Sequence, residues 1–143
     1  MSEPIVVGYD GTEGAKAALD EAVRLAGALD AELVLAFASH TNPGGGEVAD
    51  AAAVLHERGE KLLGQALEQV RAAGVTARAE IVHGRPYEAL ATLAEEVGAQ
   101  LIAVGSYGER PLRALIVGST PPRLMHVTHV PVLVVREAEA PAP

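Results

Sequence analysis

Ile5-Val6-Val7-Gly8-Tyr9-Asp10-Gly11-Thr12 is the stretch on which the fold reading turns. The apolar run Ile5 to Tyr9 is short and unbroken, as a strand buried on both faces requires, and Asp10-Gly11-Thr12 stops it with turn-forming residues. From Ala15 the pattern changes period. Ala15, Ala18, Leu19, Ala22, Val23, Ala26 and Leu29 recur at the i, i+3, i+4, i+7 spacing of one helical face, so a helix packs through that stripe on the strand before it. Strand, tight turn and amphipathic helix are the opening of an α/β unit.

The alternation continues outward. Glu32 to Ala38 reads as a second strand, and His40 to Gly46, with Pro43 and three consecutive glycines, as a loop. Glu47 to Ala73 carries Val48, Ala52, Leu55, Leu62, Leu63, Ala66, Leu67 and Val70 on one face of a helix weakened at Gly59 and Gly64 and stopped at Gly74. A strand over 76–82, a helix over Pro86 to Val97, a strand over 100–104, a helix from Pro121 to His129 and a last strand over 131–135 complete five strands and four helices. Strands alternating with helices predict right-handed crossovers and a mostly parallel sheet covered on both faces. Residues 1–136 make one domain, and Glu137 to Pro143 has too little apolar content to pack and reads as a disordered tail.

Composition narrows the function. The 143 residues carry a net charge of −8, whereas affinity for polyanions comes from lysine and arginine neutralising phosphates, so no nucleic acid is expected as a partner. Cysteine is absent, which excludes disulfides and thiolate metal sites. No apolar stretch reaches membrane-spanning length and the first residues do not read as a signal peptide, which points to a cytoplasmic protein with no membrane partner. In open parallel sheets ligands bind beyond the carboxyl ends of the strands where the winding reverses, so the loops after strands one and four are the places to look.

After Val104 the chain reads Gly105-Ser106-Tyr107-Gly108-Glu109-Arg110-Pro111-Leu112-Arg113-Ala114-Leu115-Ile116-Val117-Gly118-Ser119-Thr120 before Pro121-Pro122 opens a helix. Glycines without a Cβ let amides approach a phosphate, and Ser119-Thr120 at a helix start offer hydroxyls and N–H groups where the helix dipole favours negative charge. Gly105, Gly108, Gly118 and Ser119 fit the pattern G-x2-G-x9-G-[ST]. In this the sequence resembles the nucleotide-binding members of the universal stress protein family. The likeness extends to Asp10-Gly11-Thr12, to His83-Gly84-Arg85-Pro86 and to the closing Val130-Pro131-Val132-Leu133-Val134-Val135-Arg136.

The resemblance implies an open, Rossmann-like sheet in the order 3-2-1-4-5, of the adenine nucleotide alpha hydrolase-like type, with ATP across the ends of strands one and four. It implies Asp10 at the ribose or phosphates, with Tyr9 beside it among the nucleotide-binding residues, Ala38 lining the adenine, Val104 and Gly105 flanking the nucleoside, and Gly108, Gly118, Ser119 and Thr120 on the phosphates. Arg110 and Arg113 are the candidates to offset Glu109, which departs from the family pattern, as does Pro121-Pro122. A homodimer through Val130 to Arg136 is implied as well.

Plainer readings stand beside these. Asp10 to Glu13 has capping-box spacing, so Asp10 is also a candidate helix cap. His126 and His129 lie i, i+3 apart without a third ligand and read as helix-end cations rather than a metal site. Gly11 to Lys16 lacks the Walker spacing. No motif supplies a catalytic residue, so the expectation is a regulatory module rather than an enzyme, with at most slow ATP hydrolysis and Mg²⁺ entering only with the nucleotide. The alternatives are an AMP- or cyclic AMP-binding member, a nucleotide-free dimerisation module and, from another class, a flavodoxin-like electron carrier.

Overall fold

Alternation along the first strand sorts the whole core. Ile5 and Val7 face one side of the sheet and Val6 the other, and all three are fully buried, as expected of a central strand. The computed structural model describes residues 2–39, 48–106 and 120–137. Its elements are β1 (Ser2–Gly8), α1 (Glu13–Leu29), β2 (Ala31–Ser39), α2 (Val48–Ala72), β3 (Ala77–His83), α3 (Pro86–Val97), β4 (Leu101–Gly105), α4 (Thr120–Val127) and β5 (Val132–Val135). The strands form one parallel sheet in the order β3-β2-β1-β4-β5, as the resemblance implied.

Each face of the sheet has its own core. Ile5, Val7, Leu33, Leu35 and Phe37 pack with Leu19, Ala22, Leu63 and Val70 of α1 and α2. Val6, Val34, Ala36, Ile102 and Val104 pack with Leu90, Leu93 and Leu124 of α3 and α4. Of the predicted α1 stripe, Ala15, Ala18, Leu19, Ala22 and Ala26 are buried, while Leu29 in the last turn is exposed.

Two elements differ from the sequence reading for tertiary reasons. β1 begins at the polar Ser2 because the Ser2 N–H donates to Asp30 O (2.9 Å) and Ser2 Oγ donates to Leu29 O (2.7 Å), joining the strand to the carboxyl end of α1. α2 runs unbroken through Gly59 and Gly64. At Gly59 the missing side chain is what lets the helix seat, since a Cβ there would lie 2.6 Å from Phe37 Cδ1. α2 stops where predicted, with Gly74 at φ +83° and its N–H on Arg71 O. The glycine-rich segment 40–47, most of the loop after β4 and the acidic tail from 138 lie outside the described residues, so the loop and tail readings made there are neither met nor contradicted.

Candidate functional site

At the carboxyl end of β1 the Tyr9 N–H donates to Ala36 O (2.8 Å), and Gly11 turns the chain at φ +81°, a conformation that favours glycine. Asp10 Oδ1 then accepts from both the Thr12 N–H (3.0 Å) and the Thr12 hydroxyl (2.6 Å). Thr12 Oγ1 in turn accepts from the Ala15 N–H (3.2 Å), and Thr12 is the N-cap of α1. The capping reading of Asp10 is therefore corrected by one step. Thr12, in extended geometry, caps the helix, and Asp10 orients Thr12 through an Asx-type turn. The signal available in the sequence was a threonine three residues ahead of Ala15, the first residue of the apolar stripe.

β4 ends against this same helix start. A Cβ built on Gly105 would lie 2.5 Å from Gly14 C, 2.7 Å from Gly14 O and 2.9 Å from Ala15 N. The strand-four loop thus begins in main-chain contact with the first turn of α1, where the helix dipole favours an anion. Gly14 is the partner that sequence reasoning missed, because nothing local marks it. On the other face, Gly8 leaves room for Leu90 and Val104, with a Cβ there 3.0 Å from Leu90 Cδ1 and 3.2 Å from Val104 Cγ1.

The structure gathers Tyr9, Asp10, Val104 and Gly105 at the carboxyl ends of the adjacent strands β1 and β4, where the sheet order reverses. Ala38 is half-buried near the end of β2, in register with Val82 of β3, and Thr120 opens α4. Tyr9 and Val104 are themselves core residues, at 7% and 4% exposure. Burial pushes the Tyr9 phenol above its ordinary pKa, with Lys16 acting against that shift and Asp10 with it. Gly108, Arg110, Gly118 and Ser119 lie outside the described residues.

Ser106 follows Gly105. Its N–H donates to Val135 O (3.0 Å), which holds it in the ladder to β5, and its hydroxyl oxygen is buried with no hydrogen-bond partner among the described residues. An open cavity of about 360 Å³ lies elsewhere, at the β3 edge, lined by His83, Gly84, Glu88, Thr92 and Glu96 among others. None of the residues expected at the nucleotide site lines it. Among the described residues no group of three or more His, Asp or Glu side chains is placed to hold a metal ion, and no helix is long and apolar enough to cross a membrane.

A doubly wound parallel sheet whose first and fourth strands end together on glycine and a capped helix start defines the class: an open α/β domain with its ligand end at the strand carboxyl termini. The chain belongs to the universal stress protein family, whose sequence model matches residues 1–136. It is 33% identical over 141 residues to the universal stress protein Rv1636 of Mycobacterium tuberculosis, covering 92% of this chain and 94% of that one. It is similar to a universal stress protein solved in complex with cAMP, at 29% identity and a TM-score of 0.75, over 95% of this chain and 98% of that one. The fold also matches the protein MJ0577 with a TM-score of 0.85 at 22% identity, over 98% and 99% of the two chains.

Proposed function

We propose that this chain is a regulatory, cytoplasmic module that binds an adenine nucleotide, ATP first among them, between the loops after β1 and β4. One observation carries the reading: the adjacent strands β1 and β4, at the point where the sheet order reverses, end together on the capped start of α1, with the main chain of Gly105 against its first turn. A nucleotide seated there meets α1's amides on one side and the glycine-rich segment on the other. Asp10, held by Thr12 through Oδ1 alone of its two oxygens in the bonds described, has Oδ2 for a ribose hydroxyl. Ala38 lines the base; Tyr9 and Val104, largely buried, meet it through their main chains. Gly108, Gly118, Ser119 and Thr120 hold the phosphates with Arg110, and Mg²⁺ arrives with the nucleotide. The solved relative in complex with cAMP supports the nucleotide class and makes cyclic AMP a competing ligand, with AMP the other one to test.

Hydrolysis is slow or absent in this reading. Lys16, in the first turn of α1, turns to Glu13 on the surface (3.4 Å), so it is not aimed at a transferring phosphoryl group. The protein pairs with a second copy through β5, the sheet's terminal strand, beside which Val134, Met125 and Val127 are exposed. A monomeric Val134→Lys variant in sedimentation, beside a dimeric wild type, supports that interface.

Calorimetric titration with ATP, AMP and cyclic AMP tests the site. The wild type binds at least one of them, and Gly118→Val, which puts a branched side chain in the phosphate loop, weakens binding by tenfold or more. Unchanged affinity in that variant removes the loop from the proposal. Mass spectrometry of any small molecule released from the purified, heat-denatured protein identifies the nucleotide it carries.

A further inference from the structure

Ser106 is a polar residue at a position the family pattern leaves open, the first x of G-x2-G, and no role was expected of it. Three observations bear on it. Its main chain is fixed, because the N–H bond to Val135 O continues the β4–β5 ladder one step past the strand. Its side chain lies on a known face: Val104 packs in the α3 and α4 core, Gly105 turns its open side to α1, and Ser106 therefore returns to the α4 side. Its hydroxyl oxygen is shielded from solvent and has no hydrogen-bond partner among the described residues. A buried hydroxyl that pairs with nothing is destabilising, and alanine at the same place carries no such penalty.

We infer that Ser106 Oγ is a ligand contact and donates its hydrogen to a phosphate oxygen of the bound nucleotide. This inference rests on the nucleotide reading above and adds a side chain to it. Ser106 follows β4 on the side of the sheet that α4 covers, and α4 starts at Thr120, so a phosphate drawn to that helix start lies within the sector Ser106 faces. A phosphate oxygen is an acceptor able to satisfy the orphaned donor, and its charge strengthens the bond. The hydroxyl then favours nucleotides over nucleosides, and the instability it causes in the empty protein is relieved when the ligand arrives.

Ser106→Ala tests this with two readouts in one set of samples. Titrated with ATP, the variant binds about tenfold more weakly than wild type, the loss of one hydrogen bond to a charged acceptor. Titrated with adenosine, which lacks phosphates, it matches wild type. Its thermal midpoint without ligand equals or exceeds that of wild type, since the orphan is gone. Wild-type ATP affinity in Ser106→Ala overturns the inference and leaves the nucleotide reading standing. Equal losses for ATP and adenosine, or a lowered midpoint without ligand, also overturn it by making the residue a structural support of the loop. A wild-type protein that binds no nucleotide in these titrations fails the nucleotide reading itself, and the Ser106 contact with it. Ser106→Thr, which keeps the hydroxyl, retains the ATP affinity that Ser106→Ala loses, and a threonine variant as weak as the alanine one overturns the inference.

Discussion

Gly105→Ala is the sharpest test of how β4 meets α1. The added methyl carbon would sit at 2.5, 2.7 and 2.9 Å from Gly14 C, Gly14 O and Ala15 N, all closer than carbon tolerates and all main-chain atoms. A side chain in the way can change rotamer; a helix's first turn can yield only by moving the helix. Buried α1 residues Ala15, Ala18 and Leu19 follow directly, so the movement is resisted by the core. Overpacking of this kind costs about 1–3 kcal/mol, and contact with rigid backbone puts Gly105→Ala at the upper end, about 3 kcal/mol. For a chain of this size that lowers the thermal midpoint by about 10 °C. The assay is chemical and thermal denaturation followed by circular dichroism, with Gly64→Ala as the control. Gly64 lies inside α2 with nothing within 4 Å of a built Cβ, so alanine there is stabilising by about 0.4–1 kcal/mol. A Gly105→Ala protein as stable as wild type, with Gly64→Ala behaving as stated, refutes the close approach.

Gly59→Ala also loses stability, by about 1–2 kcal/mol, because its Cβ meets the Phe37 ring at 2.6 Å; pairing it with Phe37→Leu recovers part of that loss in the same denaturation assay. Thr12→Ala costs about 1 kcal/mol as a lost N-cap, and Asp10→Ala costs a similar amount; because Asp10 acts through Thr12, the double variant loses clearly less than both singles together, which additive losses would contradict. Tyr9 sets an alkaline limit. Its phenol pKa is raised in the folded state, so the unfolded chain releases that proton first and stability falls as pH rises through the ordinary tyrosine range, about pH 9–11. Tyr9→Phe flattens that decline in urea titrations, and parallel declines for the two proteins would show that Tyr9 is not its source.

The fold was legible because its central strands are unbroken apolar runs, a pattern only burial on both faces explains. Val6 and Val7 are adjacent in the chain, face opposite cores, and are both inaccessible to solvent. What escaped the sequence had long-range causes. β1 extends to Ser2 because α1's last carbonyls, at Leu29 and Asp30, wait nearly thirty residues away. α2 passes through Gly59 because Phe37 of another strand fills the space a side chain would need. The cap is the exception, a local effect: it fell on Thr12 rather than Asp10 because Gly11 turns the chain between them and brings the threonine hydroxyl to the Ala15 amide.

Gly105 shows why the candidate site was readable only by half. In the sequence its glycine is explained by a ligand, which requires a bare main chain. In the structure it is explained by α1, which requires the same bare main chain whether or not a ligand is present. Loss of nucleotide binding in Gly105→Ala therefore says nothing about direct contact, because displacement of the α1 start removes an anion site as surely as a blocked one does. The informative variants are those that leave the β4–α1 contact alone. Ser106→Ala is one, since Ser106 lies on the opposite face and its hydroxyl holds nothing in place among the described residues. A variant that spares the empty fold and weakens only phosphate-bearing ligands separates the role of this loop in binding from its role in packing.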